Sequence, residues 1–411
     1  MMALHEDQHC VLLCNRIVGR IHRRGDLTRF VFEEGYWEDS SRPILGLHFE
    51  DNPSGRHSSN MRLPVWFSNL LPEGRLRELI AQSRKAPVQR EMELLIQVGH
   101  DLPGAVRVVA ADSLVHMDGW EDGVQPTDHQ GNKKSIWSFS LAGVGMKFSM
   151  FQLGERLTIP AFGENGDWIV KFPDQLYENV PHNEFAMMTL AKEVGINAPD
   201  LQLIHRDKLD ELPDVVWGRS EEWAYAIKRF DRNENRELIH IEDMAQVRGV
   251  YPEKKYQGSF ETIAALAYRN NDIPSLQEFA RRMAFNILIG NGDAHLKNWS
   301  LIYSNPQIPT LSPAYDIVST FVYRPQGEGP EDMGLRFGHS ERFEDVTIGA
   351  FQRLQQKLNV QADLGDVVST LVNNVRAEWP RVEEILLNHS ELCKKIDENI
   401  RIRTKSLTRG S

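Results

Sequence analysis

Cysteine is nearly absent from this chain of 411 residues. The three that occur, Cys10, Cys14 and Cys393, form neither a zinc-ligand pattern nor a disulfide framework, so the sequence reads as that of a protein from a reducing compartment. Long apolar runs are absent too, and nothing approaches the roughly 20 residues needed to cross a bilayer. Glu6, Asp7 and His9 precede only a very short apolar run, where a secretory signal would need a basic, then apolar, then small-residue order. A cytoplasmic protein without membrane contact is expected. Positive charge is in deficit: the formal net charge of -11 argues against coating nucleic acid by bulk electrostatics. Two phosphate-binding signatures are also missing. The small-residue turn Ser140-Leu141-Ala142-Gly143-Val144-Gly145 is not followed by the Gly-Lys-Ser or Gly-Lys-Thr of a Walker loop, and position 148, where a dinucleotide fingerprint needs its third glycine, is Phe148.

What is present is the composition of a globular protein, 41% hydrophobic and 26% charged, with length for roughly two or three domains. Residues 8 to 50 alternate apolar and polar, as in Val11-Leu12-Leu13, Ile17-Val18-Gly19, Leu27 to Phe32 and Ile44-Leu45-Gly46-Leu47, with Arg24-Gly25-Asp26 as a turn. That pattern predicts a small antiparallel sheet. Helical spacing follows from Asn69 to Ile80 and from Val88 to Val98, and a strand after Gly104. Residues 111–134 are polar and rich in Asp and Gly, the makings of a linker or surface loop. Further on, Asn183 reads as the N-cap of a helix stopped by Gly195, and Ser275-Leu276-Gln277-Glu278 as a capping box launching a helix to Ile289. Residues 316–343 read as loop-rich. Helices then run to a basic, solvated tail, with Trp379-Pro380 marking a break between two of them.

Chemistry gathers between Asn291 and Ile317. Asn291-Gly292-Asp293-Ala294-His295-Leu296-Lys297-Asn298 opens the stretch, an apolar hairpin follows, and Tyr315-Asp316-Ile317 closes it. Asn-Gly-Asp is also a common turn, and Asp316 could be a simple cap. Phosphoryl transfer, however, needs a carboxylate for the acceptor hydroxyl and oxygen ligands for Mg²⁺, and Asp293, Asn298 and Asp316 supply them in the order kinase-like folds use. Upstream, Gly166 to Pro173 is a strand with one lysine, Lys171, among apolar residues; most strand lysines only face solvent. Glu184 opens the next helix, where the dipole favours any acid and where a strand lysine's partner would also stand. Trp223 to Arg232 is a strand leaving into charge, the expected place for a hinge. The order of these parts predicts an α+β, two-lobed protein-kinase-like fold. Its expected parts are an extra N-terminal β-rich and helical subdomain (1–110), the 111–134 linker, an N-lobe part (135–232) and a mostly helical C-lobe (233–411).

At the level of motifs the sequence resembles the HipA family of bacterial toxin serine/threonine kinases. The resemblance rests on Ser140-Leu141-Ala142-Gly143, Asn183-Glu184 with Leu190-Ala191-Lys192-Glu193, Arg229-Phe230-Asp231-Arg232, Glu242-Asp243-Met244, Gly292 to Asn298 and Pro313-Ala314-Tyr315-Asp316-Ile317. Asn69-Leu70-Leu71-Pro72 and Gly104-Ala105-Val106 look like the family's N-terminal part. It implies ATP and Mg²⁺ as cofactors, Asp293 as catalytic aspartate and Asn298 and Asp316 as metal ligands. Around ATP it implies Ala142, Gly143, Val144 and Gly145, with Lys171 on the phosphates, Glu184 and His295 nearby, and the backbone of Lys228, Arg229 and Phe230 at the adenine. It also implies Ser140 as an autophosphorylation site in the Gly-rich loop. Its implied partners are a helix-turn-helix antitoxin (HipB-like), through which alone DNA would be met, and a protein substrate from translation, such as an aminoacyl-tRNA synthetase. Two positions depart from the family pattern: Gly145 stands where Gln is usual, and Lys228 where Glu is familiar.

The catalytic loop leaves the acceptor open. His295 stands where protein kinases place Lys, as in aminoglycoside-type and lipid-type kinases, so a small-molecule kinase with a deep acidic acceptor pocket beside Asp293 is the alternative. A catalytically inactive antitoxin-binding co-repressor is a further one, although Asp293, Asn298 and Asp316 are all in place.

Overall fold

Period-two alternation near the start does make strands. In the computed structural model, which describes residues 6–83, 87–111, 146–159, 166–209, 212, 216–217, 221–325 and 332–409, Glu6–Leu13, Arg16–Arg24 and Leu27–Phe32 form an antiparallel meander. Ser58–Asn60 extends one edge and Val106–Ala110 the other. Val11, Leu13, Val18, Ile21 and Phe30 form its buried side and pack with Phe49, Trp66, Phe67, Leu71 and Leu95. Ile44 to Leu47 does not join this sheet, contrary to its alternation. Its backbone groups bond elsewhere: Ile44 N–H donates to the Pro306 carbonyl, the Leu45 carbonyl accepts from His240 Nε2, and Leu47 N–H donates to Glu242. Leu47 instead begins a short helix, Leu47–Glu50.

A second five-stranded antiparallel sheet runs in the order Arg156–Thr158, Lys147–Leu153, Trp168–Lys171, Trp223–Lys228, Leu201–His205. Its alternation divides the two cores. On the strand Trp223–Lys228, Ala224 and Ala226 pack with the first sheet's core, whereas Tyr225 and Ile227 face the core of the helical lobe. Helix Val180–Glu193 lies on that second face. Asn183 is not its N-cap. The helix starts at Val180 behind Asn179, and Asn183, fully buried, donates to the Ser319 carbonyl (3.0 Å) and accepts from Ser319 N–H (3.1 Å). An amide there satisfies two backbone groups of the distant segment that follows Asp316.

The helical lobe is built on Ile273–Ile289, whose apolar stripe, Phe279, Met283, Ile287 and Leu288, is entirely buried. Its N-cap is Asp272, which accepts from Ser275 N–H (3.0 Å), and Glu278 instead accepts from Arg282 Nε (2.8 Å). The capping box read at Ser275 therefore lies inside the helix. Pro380 likewise lies within helix Leu364–Val382, which breaks after Val382, and Trp379 Nε1 anchors that turn to Asp397 (3.2 Å). A hairpin, Asp332–Phe337 with Ser340–Arg342, occupies part of the segment read as loop, and Met333, Leu335 and Phe337 alternate into the core.

The first sheet's domain is bound to the sheet edge at residues 229–232 by charges from which water is excluded. Arg229 donates to both oxygens of Asp231 (2.9 and 2.8 Å) and to Asp101 (2.9 Å), and Arg232 donates to the same Asp101 oxygen (3.0 Å). Gly104 N–H completes Asp231 (2.7 Å). Burial alone would raise the Asp231 pKa, but the two guanidiniums outweigh it and hold the carboxyl far below the usual range. Removing one partner of such a set strands the others in a dry interior, so Asp101→Ala should destabilise the protein by about 3 kcal/mol. Chemical denaturation would show it as a fall in midpoint, and an unchanged midpoint would mean the network contributes little.

Candidate active site

A cavity of about 500 Å³ lies where three parts of the chain meet: the second sheet, the helical lobe, and the segment Asn69 to Arg75 of the first domain. On its sheet side stands Lys171, the last residue of the strand Trp168–Lys171. Its ammonium bridges Glu184 of helix Val180–Glu193 and Asp316 of the helical lobe. Burial alone would lower the Lys171 pKa, but Asp316 and Glu184 outweigh burial and raise it. Asp316 is the opposite balance: burial pushes its carboxyl up, yet Lys171 and then Lys147 hold it well below the usual carboxylate range. Glu184 moves upward, because its burial exceeds the help from Lys171. Asp316 has φ of +55°, the left-handed region where Asp is tolerated better than most residues.

Across the cavity, helix Ile273–Ile289 ends at Gly290 in the left-handed conformation (φ +66°) and turns directly into the Asp293 loop. Asn291 accepts from Asp293 N–H (3.1 Å) and donates to Asn286 (2.9 Å), which fixes the turn. The Asp293 side chain is 47% exposed, and its pKa is raised by burial, with a hydrogen bond from Tyr256 opposing. Asn298, in a short 3₁₀ turn, donates its amide N–H to the Asp293 carbonyl (2.7 Å). Its side-chain oxygen is therefore the end left for a cation. His295 is buried and held at about 3, first by burial and then by Lys255, so it is neutral at physiological pH.

Lys228, Arg229 and Phe230 line the same cavity. Lys228 N–H donates to the Asp200 carbonyl (2.9 Å) and Arg229 N–H to the Asp167 carbonyl (2.8 Å). The Arg229 guanidinium is fully spent on the buried network, so any contact it makes here is through its backbone. No hydrogen bond among the described residues takes up the Phe230 N–H. Ser140, Ala142, Gly143, Val144 and Gly145 lie outside the described residues.

Four residues that the sequence reading passed over line the same cavity or sit at its acid. Lys147 pairs with Lys171 across the sheet ladder, and burial lowers its pKa, with Asp316 opposing. It follows the Gly-rich turn by two residues, which was the available signal. Lys297 donates to the Asn69 carbonyl (2.7 Å) and Asp243 (3.0 Å), and Lys255 to Glu73 (3.0 Å). Tyr256 donates to Asp293 (2.5 Å). Nothing in the spacing of Glu73, Lys255 or Tyr256 announces a site, because they converge only in three dimensions.

Comparison with known proteins places both halves of the chain. A family model described as "HipA N-terminal domain" matches residues 10–109, and one described as "HipA-like C-terminal domain" matches residues 139–379. Y4dM of Sinorhizobium fredii, which carries a provisional kinase name, is 41% identical over 90% of each chain. The serine/threonine-protein kinase toxin HipA of Shewanella oneidensis is 28% identical over 77% of this chain and 74% of its own. A solved structure of the Shewanella oneidensis toxin–antitoxin system, HipA and HipB with operator DNA, contains a chain of the same fold. It superposes with a TM-score of 0.70 over 97% of each chain at 19% identity.

The Lys171 bridge has a pH signature. A carboxyl whose folded pKa is depressed contributes stability that is present above its unfolded value and lost as pH falls. Lys171→Met removes the cation responsible for most of that depression at Asp316. The variant should be less stable by about 2–3 kcal/mol at neutral pH, and the gap from wild type should narrow as pH drops below the ordinary Asp value of 3.8. Melting curves of both proteins from pH 7 to pH 3 would test this, and a gap independent of pH would contradict it.

Proposed function

The chain belongs to the HipA family, and from that premise we propose that it is an ATP- and Mg²⁺-dependent serine/threonine protein kinase, the toxin of a toxin–antitoxin pair. The observation that carries the proposal is the convergence of Lys171, Asp293, Asn298 and Asp316 on one cavity from three separate stretches of sequence. The donor set fits the cofactor. The Asn298 amide oxygen and the Asp316 carboxylate are hard oxygen ligands of the kind Mg²⁺ takes when phosphates complete its shell. When bound, Mg²⁺ neutralises charge across the transferred phosphates.

The protein's own residues supply orientation and the proton. Lys171, held by Glu184, presents its ammonium to the phosphates, and the Phe230 amide is free to meet the adenine edge. Asp293 orients the acceptor hydroxyl and takes its proton as the phosphoryl group moves. Its raised pKa makes it a better base than an ordinary carboxylate, and neutral His295 adds no competing charge. Ser140 in the Gly-rich loop is proposed as the autophosphorylation site, where a phosphate would oppose ATP by like-charge repulsion. A protein of the translation apparatus is the proposed target, and a helix-turn-helix antitoxin the proposed partner, the Shewanella complex supporting the latter by its composition. Among the described residues no helix is long and apolar enough to cross a membrane, in keeping with a proposed cytoplasmic location.

A small cationic acceptor would call for unpaired acids around Asp293. Here Glu73 is paired with Lys255, Asp243 with Lys297 and Asp316 with Lys171, so the acceptor side carries little free negative charge. That supports the protein-substrate reading over the small-molecule one.

Intact mass after incubation with ATP and Mg²⁺ tests the proposal. Wild type should gain a phosphate that maps to Ser140. Asp293→Asn should lose transfer by roughly 10²–10⁴-fold while still binding ATP, and Asp316→Asn should weaken Mg²⁺-dependent binding itself. Wild-type turnover in Asp293→Asn would remove the base assignment.

A further inference from the structure

The phenol of Tyr256 is placed where a substrate would be expected. Its O–H donates to Asp293 Oδ1 at 2.5 Å, the reach a general base needs to the hydroxyl it deprotonates. The ring is 48% exposed and meets His295 edge-on at 5.0 Å. Its phenol is thus held by Asp293 and its ring by His295 and the Lys255 ammonium, all at the candidate site. The phenol's pKa is raised by burial and by Asp293, so it remains a neutral donor like a serine or threonine hydroxyl.

The short segment carrying Tyr256 is fastened to the first domain. Tyr251 donates to Ser59 (3.0 Å) beneath the Arg62 guanidinium, which lies 3.8 Å from the Tyr251 ring, and Arg62 grips Glu253. Lys255 reaches Glu73 (3.0 Å), and its carbonyl accepts from Leu296 N–H of the catalytic loop (3.1 Å). Lys255 and Glu73 thus line the cavity near Asp293, with Tyr256 beside them on the Asp293 carboxylate.

We propose that the Tyr256 phenol holds the acceptor-hydroxyl position at Asp293, and that a hydroxyl-bearing segment of the substrate displaces it in entering a subsite formed by Tyr256, Lys255 and Glu73. This rests on the phosphotransfer reading above. The phenol meets the requirement for a good placeholder: it matches the incoming group's donor chemistry, while its attachment to a rigid ring on a tethered segment keeps its oxygen from advancing toward the phosphates. It also guards the base against water. In the absence of acceptor, hydrolysis would require a water oxygen to bond the γ-phosphorus as the bond to the ADP oxygen breaks, with the water proton passing to Asp293. The phenol occupies Asp293 Oδ1 and the space beside it where that water would sit.

The test needs no identified substrate. Initial rates of ATP hydrolysis with Mg²⁺ and no added protein would be measured for wild type, Tyr256→Phe, Asp293→Asn and the double variant. Tyr256→Phe should hydrolyse ATP about three- to tenfold faster, the size expected for the loss of one hydrogen bond of ordinary net strength. Its KM for ATP should be unchanged, and the double variant should fall to the Asp293→Asn level. A slower or unchanged rate in Tyr256→Phe, with Asp293→Asn still impaired, would overturn the placeholder role in favour of one in positioning Asp293. Phosphate mapped to Tyr256 itself would overturn it too, making the tyrosine an acceptor. Hydrolysis insensitive to Asp293→Asn in both backgrounds would instead bring down the phosphotransfer reading, and this proposal with it.

Discussion

One ammonium joins the two halves of the candidate site. Lys171 comes from a sheet, Glu184 from the helix packed on that sheet, and Asp316 from a loop of the other lobe, more than a hundred residues away in sequence. None of the three is comfortable alone: burial raises the acids and lowers the lysine, so each charge persists because of the others. The relative position of the lobes is therefore constrained at the place where nucleotide chemistry is proposed. Helix Val180–Glu193 reinforces the constraint, since Asn183, one residue before Glu184, bonds both backbone groups of Ser319 just beyond Asp316. The same helical turn that supplies the acid to Lys171 fastens the loop that supplies the second one.

The first domain is part of this arrangement. Its core continues without interruption into one face of the second sheet, and its polar contacts fall beside the candidate site in the other parts. Asp101 and Gly104 hold the residues after the hinge strand, Asn69 accepts from Lys297 in the catalytic loop, and Leu47 and Trp66 donate to Glu242. Glu242 is fully buried among these donors and Tyr303, and burial nevertheless pushes it up to about 7. A carboxyl so placed joins the first domain to the strand His240–Asp243, which leads by way of Asp243 to Lys297. Charge and hydrogen bonding thus act together with the shared apolar core in setting where the first domain sits relative to the cavity.

The sequence was legible where function is local. Asp293 and Asn298 sit on one turn, the helix before them shows its stripe, and the hairpin after them opens with a short apolar run, so the structure brings these residues together as their spacing predicts. Lys171 and Glu184 were legible for a different reason, the order of parts that a two-lobed fold imposes. The sequence was less legible where one residue satisfies a remote backbone. Asn183 looks like a cap because Asn caps helices, yet its amide is spent on Ser319. Ile44 to Leu47 alternates like a strand, but His240, Glu242 and Pro306 take its hydrogen bonds. Pro380 looks like a break, while the packing of Trp379 carries the helix two residues further. In each case tertiary hydrogen bonding or packing outweighed local propensity, and no window of neighbouring residues contains the partner.

The two aspartates of the cavity illustrate how environment divides like groups into different roles. Asp316 faces two lysines, which hold its carboxylate ionised, the state its proposed role as a cation ligand requires. Asp293 is pushed upward by burial, with the neutral Tyr256 phenol as its side-chain donor and Lys255 opposing from further away. A base benefits from that shift and a ligand from its opposite, so one type of side chain suits both proposed tasks without any change in covalent chemistry. His295 completes the separation. A protonated imidazole 3.8 Å from Asp293 would pull that acid down toward Asp316's range, but burial and Lys255 keep the ring neutral, at about 3. Lys255 is itself set by Glu73 of the first domain. Lys255 also draws the Asp293 carboxyl down directly, and Glu73, more than two hundred positions earlier in the chain, opposes it.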